Sequence, residues 1–338
     1  MPSYTHKRDF VWDQYFPPKP GFTVQSLPND LQGKVYVVTG ANTGMGKEVA
    51  RILYSKNAKV YAACRSEELG RRAVAAIKKS EPESSGGIVF LALDLADLTK
   101  VQAAAKAFLA RESQLHVLFN NAGVMTGLTE PPPKTAQGHE LAMGVNCVGT
   151  FLFTQLLTPT LAKTARSAPP DTVRVVWLSS FGLEAHAPDE LGIDMDNLDY
   201  HVPRPGIERY GISKCGDWLL AVEYGRRHRT DGIVSVPLNP GNIRTELARH
   251  QGLVLKLIAN LIVYPVGHGA CSQLFAAFSP QVNNVSVDWT QQWVLPFGRV
   301  GPIRPDLRKA TLLKEDGGNG NAQEFWEWNE AQIKGYLA

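Results

Sequence analysis

Six short apolar runs recur along the first two-thirds of the chain, at 35–39 (VYVVT), 59–64 (KVYAAC), 88–93 (IVFLAL), 115–120 (LHVLFN), 173–179 (VRVVWLS) and 233–239 (IVSVPLN). They are apolar nearly throughout instead of alternating, which is the pattern of strands covered on both faces of a parallel sheet. The stretches 44–56, 67–80, 97–112, 138–163 and 208–230 lie between them and are long enough for crossover helices. Strand and helix taking turns in this way predict an α/β fold on one doubly wound parallel sheet of about seven strands, flanked by helices on both faces. Residues 33–338 are assigned to that domain. Residues 1–32 form an N-terminal extension whose Phe10, Trp12, Tyr15, Phe16 and Phe22 suggest that it packs on the domain surface. The connection 181–208 is long, carries several prolines and acids with His186 and His201, and is read as a substrate loop.

Composition narrows the class. The 338 residues are 44% hydrophobic and 20% charged, with a formal net charge of +3, enough apolar content for a large core. Bases and acids are mixed along the chain, so nucleic acid is not an expected partner. The one basic cluster, Arg226, Arg227, His228 and Arg229, ends a predicted helix, where positive charge offsets the helix dipole. Cys64, Cys147, Cys215 and Cys271 have neither metal-pair nor redox-couple spacing and read as free thiols. No metal is expected. The N-terminus lacks the apolar core of a secretory signal, and no run reaches the roughly 18 apolar residues of a membrane span. A cytoplasmic protein is the expectation.

The first strand runs into Gly40-Ala41-Asn42-Thr43-Gly44-Met45-Gly46, which opens a helix. A glycine-rich turn there lets backbone approach a pyrophosphate that the helix N-terminus favours, a Rossmann-type feature. The second strand ends at Cys64-Arg65. An NAD enzyme of this architecture usually has an acid near this point for the ribose 2′-hydroxyl. Arg65 would instead pair with a 2′-phosphate, so NADP(H) is preferred. Asp94 and Leu95 after the third strand face the adenine in this reading, and Asn121, Ala122 and Gly123 after the fourth wall the adenosine.

The chemistry falls at the other strand ends. Tyr210 and Lys214 are four apart on a predicted helix and share one of its faces. A free phenol titrates near 10; about 3 units of lowering requires about 4 kcal/mol, within reach of a close ammonium and a cationic nicotinamide. Ser179 and Ser180 end a strand at the carboxyl edge of the sheet, where open α/β sheets bind ligands. Asn146 is a lone amide in an apolar stretch. Pro240, Gly241, Ile243 and Thr245 follow the sixth strand, where a loop could hold the nicotinamide carboxamide.

With these residues in place the chain resembles the short-chain dehydrogenase/reductase family from about Gly33 onward, most closely the branch of retinol dehydrogenases and their fungal relatives. TGANTGMGKEVA, AACR, NNAGV, GVNCVGTFL, LSS, YGISK, NPGNIRTEL and VLPFGR match in order, followed by a Trp-rich C-terminal helix starting near Gln323. The resemblance implies that Tyr210 is the general acid/base, that Lys214 binds ribose and tunes Tyr210, and that Ser180 polarises the substrate oxygen in preference to Ser179. It implies that Asn146 holds a water in a proton relay behind Lys214, that Ile243 and Thr245 contact the carboxamide, and that the protein is a carbonyl reductase of secondary metabolism. The N-terminal extension matches no family motif.

Residues 252–265 (GLVLKLIANLIVYP) carry Gly252, Lys256 and Asn260 as a polar stripe on an apolar helix, within a lid region 245–266 over a hydrophobic pocket. A subunit contact and a helix lying in a membrane surface stay open for this segment. The expected substrate is a bulky apolar ketone or aldehyde, or the corresponding alcohol, and the apolar helix at 141–162 leaves a homodimer open. The alternatives are an NAD-linked alcohol dehydrogenase working in oxidation, a nucleotide sensor without turnover, and a sugar-nucleotide epimerase. The pairing of Tyr210 with Lys214 speaks against the sensor, and the lack of a separate substrate domain against the epimerase.

Overall fold

A computed structural model describes residues 12–126, 131–244 and 263–337. Eight strands form one sheet in the order β3-β2-β1-β4-β5-β6-β7-β8. They are β1 (Val35–Thr39), β2 (Lys59–Cys64), β3 (Gly87–Ala92), β4 (Val117–Asn120), β5 (Val173–Leu178), β6 (Ile233–Leu238), β7 (Gln292–Leu295) and β8 (Arg299–Pro302). The first seven are parallel, and β8 returns antiparallel against β7. The expected count of about seven omitted this return, because Phe297 and Gly298, both at positive φ, turn the chain within a stretch too short to read as a hairpin. β1, β5 and β6 are buried at every position, as nonalternating strands should be when helices cover both faces.

The described crossovers are α1 (Gly44–Ser55), α2 (Glu67–Ser80), α3 (Leu98–Leu109), α4 (Thr150–Ala165), a short α5 (Gly182–His186), α6 (Gly206–His228) and α7 (Val266–Phe278), with α8 (Asn321–Ile333) near the C-terminus. The helix expected over 138–163 differs. Residues 143–149 wind as π-helical turns before α4 begins, a form that concentrates at functional sites. The helix Met143–Ala165 is long and apolar enough to cross a membrane by length and composition, yet most of it is buried in this fold.

The order of strands reverses between β1 and β4, which opens a crevice at their carboxyl ends. Segments outside the α/β repeat pack onto this frame. Leu27 and Leu31 of the N-terminal extension enter the core, and Phe22 packs edge-on against Phe275 of α7. The connection 181–208 is tied to the C-terminal region. Asn321 Nδ2 donates to the carbonyls of Leu191 and Ile193, and the Arg304 guanidinium donates to those of Glu184 and Ala187.

Candidate active site

At the mouth of the crevice Gly40 takes a φ of 68°, and a Cβ on Gly46 would lie 2.7 Å from the Gly40 carbonyl. Only glycine allows the turn to fold this tightly onto α1. Thr43, at the N-cap of α1, makes no side-chain capping bond, so the first-turn amides are left to an anion. The Met45 side chain reaches toward Gly269 of α7. Arg65 is exposed just past β2, and the Gly40 amide donates to Ala63 of that strand, which brings Arg65 alongside the turn.

Two of the residues expected on the adenosine side are already engaged. Asp94 Oδ1 accepts from the Ala96 amide while Oδ2 lies 3.4 Å from Lys100 Nζ. Asn121 Nδ2 donates to the Thr39 carbonyl and Oδ1 accepts from Gln273, so its amide ties β4 to β1 and α7. Its backbone amide also donates to Thr39 Oγ1, which leaves a ligand mainly the Asn121 carbonyl. Leu95 is buried, the Ala122 amide donates to Thr39 Oγ1, and Gly123 faces the next group of residues.

A Cβ on Gly123 would stand 3.0 Å from Lys214 Nζ and 3.3 Å from Asn146 Oδ1, so both polar heads converge on it. Lys214 lies in α6 one turn beyond Tyr210, and its Nζ is 5.9 Å from the Tyr210 ring centroid. Nζ also donates to the Leu178 carbonyl at 2.8 Å and to Asp217 Oδ2 at 2.7 Å. Burial works against the Lys214 ammonium, but Asp217 and Tyr210 outweigh it and hold the group above the ordinary lysine range. Asn146, in the π-helical turns, exchanges two hydrogen bonds with the Val124 backbone and donates a third to Ser213 Oγ.

The two serines part company. Ser179 is buried and its hydroxyl donates to the Lys214 carbonyl at 2.6 Å. Ser180 Oγ accepts from the Gly182 amide and is half-buried. A Cβ on Gly182 would be 3.5 Å from both Ser180 Oγ and Tyr210 Cε1, so these groups edge the same small space. A hydroxyl, a phenol and an ammonium meeting beside a glycine turn at a helix N-terminus can polarise an oxygen and move a proton there.

The sequence reading missed three contributors. Asp217 is fully buried against Lys214, and its i+3 spacing from that lysine was the available signal. Ser213 lies inside YGISK and was given no part. Gln14, 2% exposed, was hidden because its partners are far off in sequence: Nε2 donates to Glu184 Oε2, and Oε1 accepts from Asn239 Nδ2. Beside it, Tyr15 stands edge-on to Phe181 with centroids 5.0 Å apart, and Tyr264 Oη donates to the Tyr15 carbonyl. His201 is exposed on Asp199, whereas His186 packs under Gly211. Beyond Pro240 and Gly241, Ile243 pairs with Tyr264. Thr245, most of the lid region 245–266 and its Gly252, Lys256 and Asn260 stripe lie outside the described residues. A cleft of about 470 Å³, lined by Gln32, Lys59, Gly86 and Glu112, opens at the amino end of the sheet and contains none of the motif residues.

Comparison with known proteins gives a consistent picture. Residues 34–175 match the family described as short chain dehydrogenase. The chain is 48% identical to the short-chain dehydrogenase/reductase bet4 of Neocamarosporium betae, over 97% of this chain and 94% of that protein. It is also 48% identical to a short-chain dehydrogenase/reductase of Phomopsis amygdali, over 97% of both. Among solved structures, an uncharacterized protein from Mycobacterium paratuberculosis superimposes with a TM-score of 0.66 at 26% identity, covering 93% of this chain and 98% of that one.

Proposed function

The chain belongs to the short-chain dehydrogenase/reductase family of oxidoreductases, and from that premise we propose that it reduces the carbonyl of an apolar ketone or aldehyde with NADPH, or runs the reverse reaction. The observation that carries the reading is the meeting of Ser180 Oγ and the Tyr210 ring on Gly182, with Lys214 Nζ behind the ring. The described residues suit the dinucleotide. The uncapped N-terminus of α1 and the tight Gly40–Gly46 turn would take its pyrophosphate, and Arg65 would pair with a 2′-phosphate, where a carboxylate would repel one. When bound, the cofactor supplies or accepts the hydride.

The chain's own residues do the rest. Tyr210 gives its hydroxyl proton to the substrate oxygen as charge develops there, and Ser180 donates a hydrogen bond to the same atom. Lys214 binds ribose hydroxyls and steadies the phenolate left behind. Asn146 fixes the Val124 backbone beside them. Tyr15 and Phe181 supply aromatic surface next to Ser180, which favours an apolar substrate. The test is to follow NADPH absorbance across a panel of apolar ketones, aldehydes and quinones. Carbonyl-dependent oxidation faster with NADPH than with NADH is expected. Failure of every carbonyl with NADPH bound overturns the reading.

A further inference from the structure

The N-terminal segment enters the fold beside the Ser180 loop. Residues 12–15 form a helical turn, closed by the Phe16 amide donating to the Trp12 carbonyl. Gln14 is its buried residue and spends both ends of its amide on buried partners, Glu184 of α5 and Asn239 just past β6. Each partner belongs to a loop that frames the candidate site. Glu184 stands four residues beyond Ser180. Asn239 Oδ1 accepts from the Gly241 amide and so shapes the turn at Gly241, where φ is 89°. Two further bonds hold the segment. Arg299 of β8 donates to the Asp13 carbonyl, and Tyr264 Oη donates to that of Tyr15. Tyr264 in turn bonds through its backbone to Asn242 and Arg244, so Tyr15 also rests on the chain that follows Gly241.

What these bonds hold in place is a ring. Tyr15 stands edge-on to Phe181, the residue after Ser180, with centroids 5.0 Å apart and 72° between the ring planes. Both rings are half-buried, and the Tyr15 hydroxyl has no hydrogen-bond partner among the described residues. A tyrosine kept for anchoring would bury its ring and bond its hydroxyl. Here Asp13, Gln14 and the Tyr15 carbonyl do the anchoring, and the two rings are left partly uncovered next to Ser180. The negative faces and positive edges of such a pair favour a third aromatic ring over a saturated ring of equal size.

We propose that residues 12–16 complete the substrate site, Tyr15 being a specificity-determining residue that selects a carbonyl compound carrying an aromatic ring and Gln14 the positioning residue that seats it. This rests on the reductase reading, which puts the carbonyl oxygen between Ser180 and Tyr210, and it names the class of substrate. The substrate ring lies on Phe181 and Tyr15 while its carbonyl faces Ser180. Gln14 acts from behind, setting α5 and the chain after β6 at the spacing that brings Tyr15 onto Phe181. Trp12 and Phe16 pair with each other on the exposed side of the turn and take no part.

The test is ligand-detected nuclear magnetic resonance on the full chain with NADP+ and NAD+ both present, so that no ketone can be reduced. The probes are acetophenone and cyclohexyl methyl ketone, alike in size and different in ring type. The wild-type protein should bind acetophenone about threefold or more tighter than the saturated ketone. Tyr15→Ala should weaken acetophenone by about fivefold or more and bring the two ketones level, while Tyr15→Phe keeps the preference. Gln14→Leu loses both hydrogen bonds with the Tyr15 ring intact, and should lose the preference as Tyr15→Ala does. Gln14→Met makes the same test should the leucine variant fold poorly. Trp12→Ala, on the exposed side of the same turn, should keep it. Equal affinities in the wild type, a preference that outlasts Tyr15→Ala, or an equal loss with Trp12→Ala overturns the proposal. A preference that outlasts Gln14→Leu overturns the part given to Gln14. A protein that prefers acetophenone yet oxidises NADPH with no carbonyl sinks the reductase reading alone. One that reduces carbonyls without that preference sinks this assignment alone.

Discussion

Asn146 Nδ2 lies 2.8 Å from Ser213 Oγ, and this bond fastens the π-helical turns to α6 one residue before Lys214. Ser213 passes the bond on to the Tyr210 carbonyl at 2.7 Å. Both donors of the Asn146 amide are thus spent, on Val124 and Ser213, and Oδ1 holds the Val124 amide. A relay water would have to use the remaining lone pair of Oδ1 or the Asn146 backbone carbonyl. Ser213→Ala should cost about 1 kcal/mol of stability, and Asn146→Ala about 2–3 kcal/mol, because the latter also strands the Val124 groups. Denaturant unfolding of the two variants checks the order; equal losses would show that Val124 finds other partners.

Tyr210→Phe removes one hydroxyl and leaves the α6 backbone untouched. Turnover should vanish while NADPH affinity, read by fluorescence titration, stays within about twofold, since the cradle for the pyrophosphate is elsewhere. Activity that survives the change would take Tyr210 out of the chemistry.

Arg65 is the test of cofactor choice. Arg65→Asp should weaken NADPH binding by about 100-fold, through loss of a charge-assisted contact and a new repulsion, and leave NADH within about threefold. Equal losses for both nucleotides would mean that Arg65 does not read the 2′-phosphate.

Glu184 should write a pH dependence into stability. Burial pushes its carboxyl up to about 8, against opposing bonds from Gln14 and Arg304. The unfolded chain ionises this group near its ordinary value while the folded chain keeps it protonated. Its contribution is therefore complete below the unfolded pKa of about 4.3 and is lost as pH rises through about 8. Glu184→Gln should flatten the fall in thermal midpoint between pH 5 and pH 8. An unchanged slope would mean that the carboxyl ionises in the folded protein without penalty.

The strand-helix alternation, the glycine turn and the Tyr210–Lys214 pair were legible because each is local. A strand covered on both faces shows as an unbroken apolar run, and a helix face shows at four-residue spacing. The π-helical turns were not, since seven residues that include two glycines and one amide read the same in either winding. Nor could the sequence divide Ser179 from Ser180 by environment. That distinction comes from the Lys214 carbonyl, 35 positions away, which accepts from the first serine. What anchors the expected substrate loop 181–208 could not be read, because its partners, Arg304 and Asn321, lie more than a hundred residues downstream.

Gln14 gives the molecule an order of assembly. Its amide needs Glu184 on one side and Asn239 on the other, and a ribosome supplies the first of these only after 170 further residues. Gln14 therefore gains both partners only after β6 has been made. Once in place it holds together two loops that lie far apart along the chain.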